Sequence, residues 1–73
     1  MIDKTTFTAF NQLWSLYKEH QTIAPDDTAA WNSIVQRSRV IVESSGAAAD
    51  PEFIFDFAAA VMESLDRLSR KNN

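Results

Sequence analysis

Apolar positions in the middle of the chain recur at the spacing of a helix. They follow one another at intervals of three or one, interrupted only by a serine: Trp31, Ile34, Val35, Ser38, Ile41 and Val42. Residues spaced by three or four share one face of a helix, and the polar residues of this segment fill the opposite face. The pattern therefore predicts an amphipathic helix.

The first segment has a broader apolar side that is rich in aromatic residues. Its members are Phe7, Phe10, Leu13, Trp14 and Tyr17, and Ala9 and Leu16 widen the apolar side to about half of the helix circumference. No cation lies within this stripe, whereas rings that stack on bases are usually exposed and flanked by cations. We therefore predict that these residues pack inward.

The third segment contains the densest apolar stretch, "DPEFIFDFAAAVMESL" at 50–65. Asp50 followed by Pro51 is a helix start, because aspartate caps the free amide groups and proline suits the first helical position. The central stripe of the predicted helix consists of Ile54, Phe57, Val61, Leu65 and Leu68. The sequence thus predicts a third helix with an unusually wide apolar arc.

Two breaks separate these segments. In "QTIAPDD" (21–27), Pro25 disfavours helix at the preceding residue, and the aspartates suit the start of the next helix. In "SSGAAAD" (44–50), Gly46 is expected to close the second helix in the left-handed conformation. We predict helices at about 4–21, 26–44 and 51–70 that form one all-α domain over residues 1–73, an up-down-up three-helix bundle.

Composition places further limits on the protein. A chain of 73 residues with a net charge of −3 and no cysteine can form one small core without disulfides. His20 has no cysteine or histidine companions for a zinc site, so we expect it to interact with a helix end. Since the sequence has no signal peptide or membrane span, a cytoplasmic location is the default expectation.

No motif in the sequence predicts catalysis. We find no phosphate-binding loop, HExxH, nucleophile elbow or calcium loop, and therefore predict no catalytic residue, metal or cofactor. Ser38 lies in the apolar arc of the second helix without a nearby base. We interpret it as a packing residue whose hydroxyl bonds to a carbonyl one turn back.

The third helix carries more apolar surface than a monomeric bundle is expected to cover. Phe55 and Met62 lie at one edge of its stripe, Ala58 connects them to the centre, and Phe53 lies at the other edge. We predict that these four residues form a homodimer contact, since a short chain without disulfides gains stability by association. In an antiparallel pair, Glu52 and Asp56 would face Arg67 and Arg70 of the other copy.

The sequence therefore predicts a small, non-catalytic interaction or accessory protein that associates with itself. The alternative is a nucleic-acid accessory factor that uses the basic end formed by Arg67, Arg70 and Lys71, although the acidic net charge argues against it. A third class is a small helical enzyme whose site forms only between chains. The sequence names no partner for any of the three.

Overall fold

The computed structural model describes residues 3–46 and 48–72. This part of the chain contains three helices. Helix α1 spans Lys4–Glu19, α2 spans Thr28–Ser44 and α3 spans Pro51–Lys71, and each helix contacts the other two. The predicted all-α three-helix bundle is confirmed. None of the helices among these residues is both long and apolar enough to cross a membrane.

The helix starts follow the predicted capping chemistry. At α3, the Phe53 backbone N–H donates to the Asp50 carboxylate at 3.1 Å, and Pro51 takes the first helical position. At α2, the Ala30 N–H donates to Asp27 at 3.2 Å. This helix begins at Thr28 rather than at 26, because Asp27 serves as the cap.

The helix ends differ from the prediction in one respect. Gly46 does not adopt a positive φ, so the expected left-handed closure of α2 is wrong. Ser45 ends the helix instead: both its backbone N–H and its hydroxyl donate to the Val42 carbonyl, at 3.3 and 2.7 Å. A serine that satisfies a terminal carbonyl through its side chain removes the need for a glycine turn.

Helix α1 ends at Glu19, two residues before the predicted boundary. His20 caps the C-terminus of this helix, and its ring nitrogen Nδ1 donates to the Leu16 carbonyl at 2.9 Å. The predicted role of this histidine at a helix end is therefore confirmed.

Contacts between the chain ends and the loops show that α1 and α3 run parallel. At one end, the Ala49 N–H donates to the Asp3 carboxylate at 3.4 Å. At the other, the Asn72 amide donates to the carbonyls of Gln21 and Ile23 at 2.9 and 3.2 Å. Helix α2 returns between them in the opposite direction, which gives the up-down-up order.

The core lies between aliphatic and small side chains of the three helices. Its fully enclosed members are Leu13, Leu16, Ile34, Ile54 and Leu65, joined by Ala9, Ile41, Ala58 and Val61. Ser69 is also buried, and its hydroxyl donates to the Asp66 carbonyl at 2.7 Å. The centre of such a bundle is narrow, because packed helix axes lie only about 8–10 Å apart, and it suits Ala, Leu and Ile better than rings.

Two predicted stripes are therefore rotated relative to the sequence-based assignment. In α1 the buried line runs through Ala9, Leu13 and Leu16, and the predicted core members Phe7 and Trp14 are exposed. In α3 the buried line passes through Ala58 and Ser69, which leaves Phe57 and Leu68 only half-buried. The sequence correctly predicted which side of each helix is apolar. It placed the centre of the buried face too close to the largest side chains.

Candidate interaction surfaces

The predicted contact residues of α3 lie on two separate flanks, in line with their positions at opposite edges of the predicted stripe. Phe55 and Met62 lie on the flank that faces α2, together with Ala58, which is buried at the boundary with the core. Phe53 lies on the flank that faces α1, where its ring stacks on Phe57 with the centroids 6.2 Å apart. The four predicted residues therefore do not form one patch.

On the first flank, a groove of about 330 Å³ runs between α2 and α3. Helix α3 contributes Phe55, Ala58, Ala59 and Met62, and α2 contributes Ser38, Arg39, Val42 and Glu43. Met62 and Val42 are half-buried against the core, so the floor of the groove is apolar, while Arg39 and Glu43 are exposed and provide charge. We call this feature the α2–α3 groove.

Among residues 3–46 and 48–72, Phe55 is the most exposed of the large apolar side chains, with 64% of its surface accessible. It lines the α2–α3 groove but is not among the residues packed against the core. Ser38, in the same groove, donates its hydroxyl to the Val35 carbonyl at 3.0 Å, which agrees with the bond predicted for it.

On the second flank, aromatic rings from α1 and α3 meet along the seam between the two helices. Phe10 and Phe57 stack with their centroids 4.9 Å apart and their planes 18° from parallel. Phe7 lies one turn before Phe10, and Trp14 lies one turn after it. We call this surface the aromatic face and define it by Phe7, Phe10, Trp14, Phe53 and Phe57.

A cation lies against this face, which sequence reasoning missed. Lys18 Nζ lies 5.8 Å from the centre of the Trp14 ring, within the range of a cation–π contact. In the sequence pattern Lys18 belongs to the polar side of α1. Its position one turn after Trp14 was the available signal, because side chains four residues apart are neighbours on a helix.

Four charged residues are paired in salt bridges away from the aromatic face. Arg37 donates to Glu19 at 2.6 Å, which links α2 to the end of α1 and holds the pKa of the Glu19 carboxyl below its ordinary value. Arg70 donates to Asp66 at 3.0 Å, as their spacing of four residues predicts. Glu63 and Arg67 have the same spacing of four, but among the described residues they form no salt bridge, and Arg67 donates to the Ser64 hydroxyl at 3.1 Å.

The Asp3 carboxylate joins the starts of α1 and α3. The Thr6 hydroxyl donates to it and lowers the pKa of the Asp3 carboxyl, and the Ala49 N–H bond acts in the same direction. Among residues 3–46 and 48–72, no three acidic or histidine side chains converge in a way that would hold a metal ion.

Comparison of the chain with protein-family models, with curated proteins and with solved structures gave no match. The two exposed apolar surfaces are therefore the features from which a function can be argued.

Proposed function

We propose that the protein is a small non-catalytic interaction protein of the cytoplasm that forms a homodimer through the α3 flank of the α2–α3 groove. The observation that carries the proposal is the exposure of the Phe55 ring beside a groove with an apolar floor. Large exposed apolar side chains next to such concavities are typical of protein interfaces.

The arrangement suits a two-fold contact between α3 helices. Ala59 lies between Phe55 and Met62 along the groove, and a small residue at a crossing point lets two helices approach closely. If the two-fold axis passes near Ala59 and the helices run antiparallel, Phe55 of each copy packs against Met62 of the other. Both apolar side chains are then covered without any change in the monomer.

Charge does not favour this antiparallel order. Glu52 and Arg70 both lie within roughly 80° of Phe55 around the helix axis, but an axis near Ala59 places Glu52 level with Asp66 of the other copy. Arg70 is already paired with Asp66 of its own chain at 3.0 Å. Asp56 and Arg67, which the sequence also suggested for this seam, lie roughly 100° or more from Phe55 and point away from the proposed contact. The contact therefore depends on apolar side chains.

The free energies of burial and of association predict a weak dimer. Burying the exposed part of Phe55 contributes on the order of 1–2 kcal/mol per copy, whereas association costs at least about 4 kcal/mol. A stable interface of about 800 Å² per copy would cover roughly one sixth of the 4960 Å² surface of the chain. Micromolar dissociation corresponds to a net free energy of about −8 kcal/mol, so Met62 and the groove residues of α2 must supply most of the contact beyond Phe55.

Sedimentation equilibrium at concentrations well above a micromolar dissociation constant tests this proposal. We expect the wild type to sediment as a dimer and Phe55→Glu to sediment as a monomer with unchanged helix content by circular dichroism. Phe7→Glu is a matched control, because Phe7 is the same residue type with similar exposure on the other surface. A monomeric wild type, or a Phe55→Glu protein that stays dimeric, would contradict the proposal.

A further inference from the structure

The aromatic face is a second unpartnered surface, separate from the proposed dimer contact. In a triangular three-helix bundle, certain positions on each helix point straight outward from the seam that this helix forms with a neighbour. They lie about 120° around the helix from the centre of the core, on the side of that neighbour. Trp14 and Phe7 hold these positions in α1, and Phe53 holds the equivalent position in α3. Phe7 and Trp14 are accordingly 55% and 44% exposed.

The face is polarised in charge along its length. Because α1 and α3 run parallel with Phe10 beside Phe57, Lys18 and Arg67 both lie toward the end of the seam where the helices finish. Asp56 lies toward the end where α3 begins. In a chain with a net charge of −3, the aromatic face therefore has a basic end.

The two basic residues are available to a partner. Lys18 is exposed and contacts the Trp14 ring, and Arg67 is exposed and bonds only to a neutral hydroxyl among the described residues. Arg37 and Arg70, by contrast, are neutralised by carboxylates of this chain. Aromatic rings combined with an unneutralised basic end favour an occupant that is both apolar and acidic.

We infer that the aromatic face binds an amphipathic helix of another protein, whose first turns are acidic and whose later turns carry bulky apolar residues. Such a helix lies antiparallel to α1 and α3 in the seam, opposite α2. Its acidic start then meets Lys18 and Arg67. Acidic residues in the first turn are also stabilised by the dipole of the helix that carries them. Helix α2 has the same order of residues, since the acidic Asp26 and Asp27 precede the apolar Trp31 and Ile34.

Trp14 provides an intrinsic probe for this inference. In the Trp31→Phe variant it is the only tryptophan, since the chain has two. Two synthetic 18-residue amphipathic peptides with the same leucine and phenylalanine face would be titrated, one with glutamates and the other with lysines in the first two turns. We expect the acidic peptide to shift Trp14 emission to shorter wavelength, and to bind at least tenfold more tightly than the basic one at low salt.

Single charge reversals locate the binding site. Lys18→Glu and Arg67→Glu should each weaken binding of the acidic peptide about fivefold or more, while the matched reversal Arg39→Glu, on the α2–α3 groove, should change it less than twofold. Phe55→Glu should leave peptide binding intact, so failure of the dimer proposal and failure of this one are distinguishable. Circular dichroism of each variant confirms that the helices are retained.

Four results would overturn the inference. These are no emission shift with either peptide, equal affinity for both, tight salt-sensitive binding of a 20-nucleotide oligo(dT) in place of the acidic peptide, and loss of self-association in Trp14→Glu. The third result would identify the face as a single-stranded nucleic-acid platform. The fourth would identify its occupant as a second copy of this chain.

Discussion

At the scale of single residues, the most predictable features are those whose chemistry is complete within a few neighbours. Asp50 needs only the amide of Phe53, three residues away, to cap α3, and the bond is present at 3.1 Å. His20 bonds to the carbonyl of Leu16, four residues away. Such bonds depend on local backbone geometry, so the residue type and its position are sufficient to predict them.

Asp50→Ala should therefore lower the free energy of unfolding by about 1 kcal/mol, because the first turn of α3 loses its side-chain acceptor. In a domain of this size, that loss corresponds to a fall in melting temperature of several degrees. Thermal denaturation followed by circular dichroism measures it. Asp50→Asn, which keeps an acceptor oxygen, should lose less than half as much, and an unchanged melting curve in Asp50→Ala would show that the cap does not stabilise α3.

At the scale of the helices, stability depends on the hydrogen bonds that hold helix ends and loops against each other. The Asn72 amide donates to two carbonyls of the loop after α1, and Trp31 Nε1 donates to the Ala24 carbonyl of the same loop at 3.2 Å. These bonds satisfy backbone acceptors in a connection with no regular structure of its own. The loop between α1 and α2 is thus held by side chains of α2 and by the end of α3.

Asn72→Ala should cost about 1 kcal/mol of unfolding free energy, because both loop carbonyls lose a donor. Urea denaturation measured by circular dichroism gives this value. Asn32→Ala is a suitable control, because Asn32 is an exposed asparagine inside α2 and alanine is the better helix former. Equal stability of Asn72→Ala and the wild type would mean that the end of α3 does not hold the loop.

At the scale of the whole molecule, a chain of 73 residues leaves several large apolar side chains exposed. The bundle is about 39 Å long and 16–20 Å across, so its core is narrow, and α3, with 21 residues, is its longest helix. The rings of Phe7, Trp14 and Phe55 lie outside this core. A small domain has a high ratio of surface to volume, so association is a direct way to remove such rings from water.

Self-association through α3 should make the melting temperature depend on protein concentration. Because dimerisation stabilises only the folded state, raising the concentration through the dissociation constant should raise the melting temperature, by several degrees per tenfold increase. Phe55→Glu should melt at the same temperature at all concentrations. A wild-type melting temperature that does not change between about 1 μM and about 100 μM protein would argue against a dimer.

The sequence by itself determined the three helices, their order and the chemistry of their starts, because hydrophobic periodicity and capping are local properties. It did not determine which part of each apolar arc is buried. That choice depends on how closely three helices approach one another, and the narrow centre selected Ala9, Ala58 and Ser69. Only the tertiary structure brought Phe10 against Phe57, since contacts between residues 47 positions apart are set by packing.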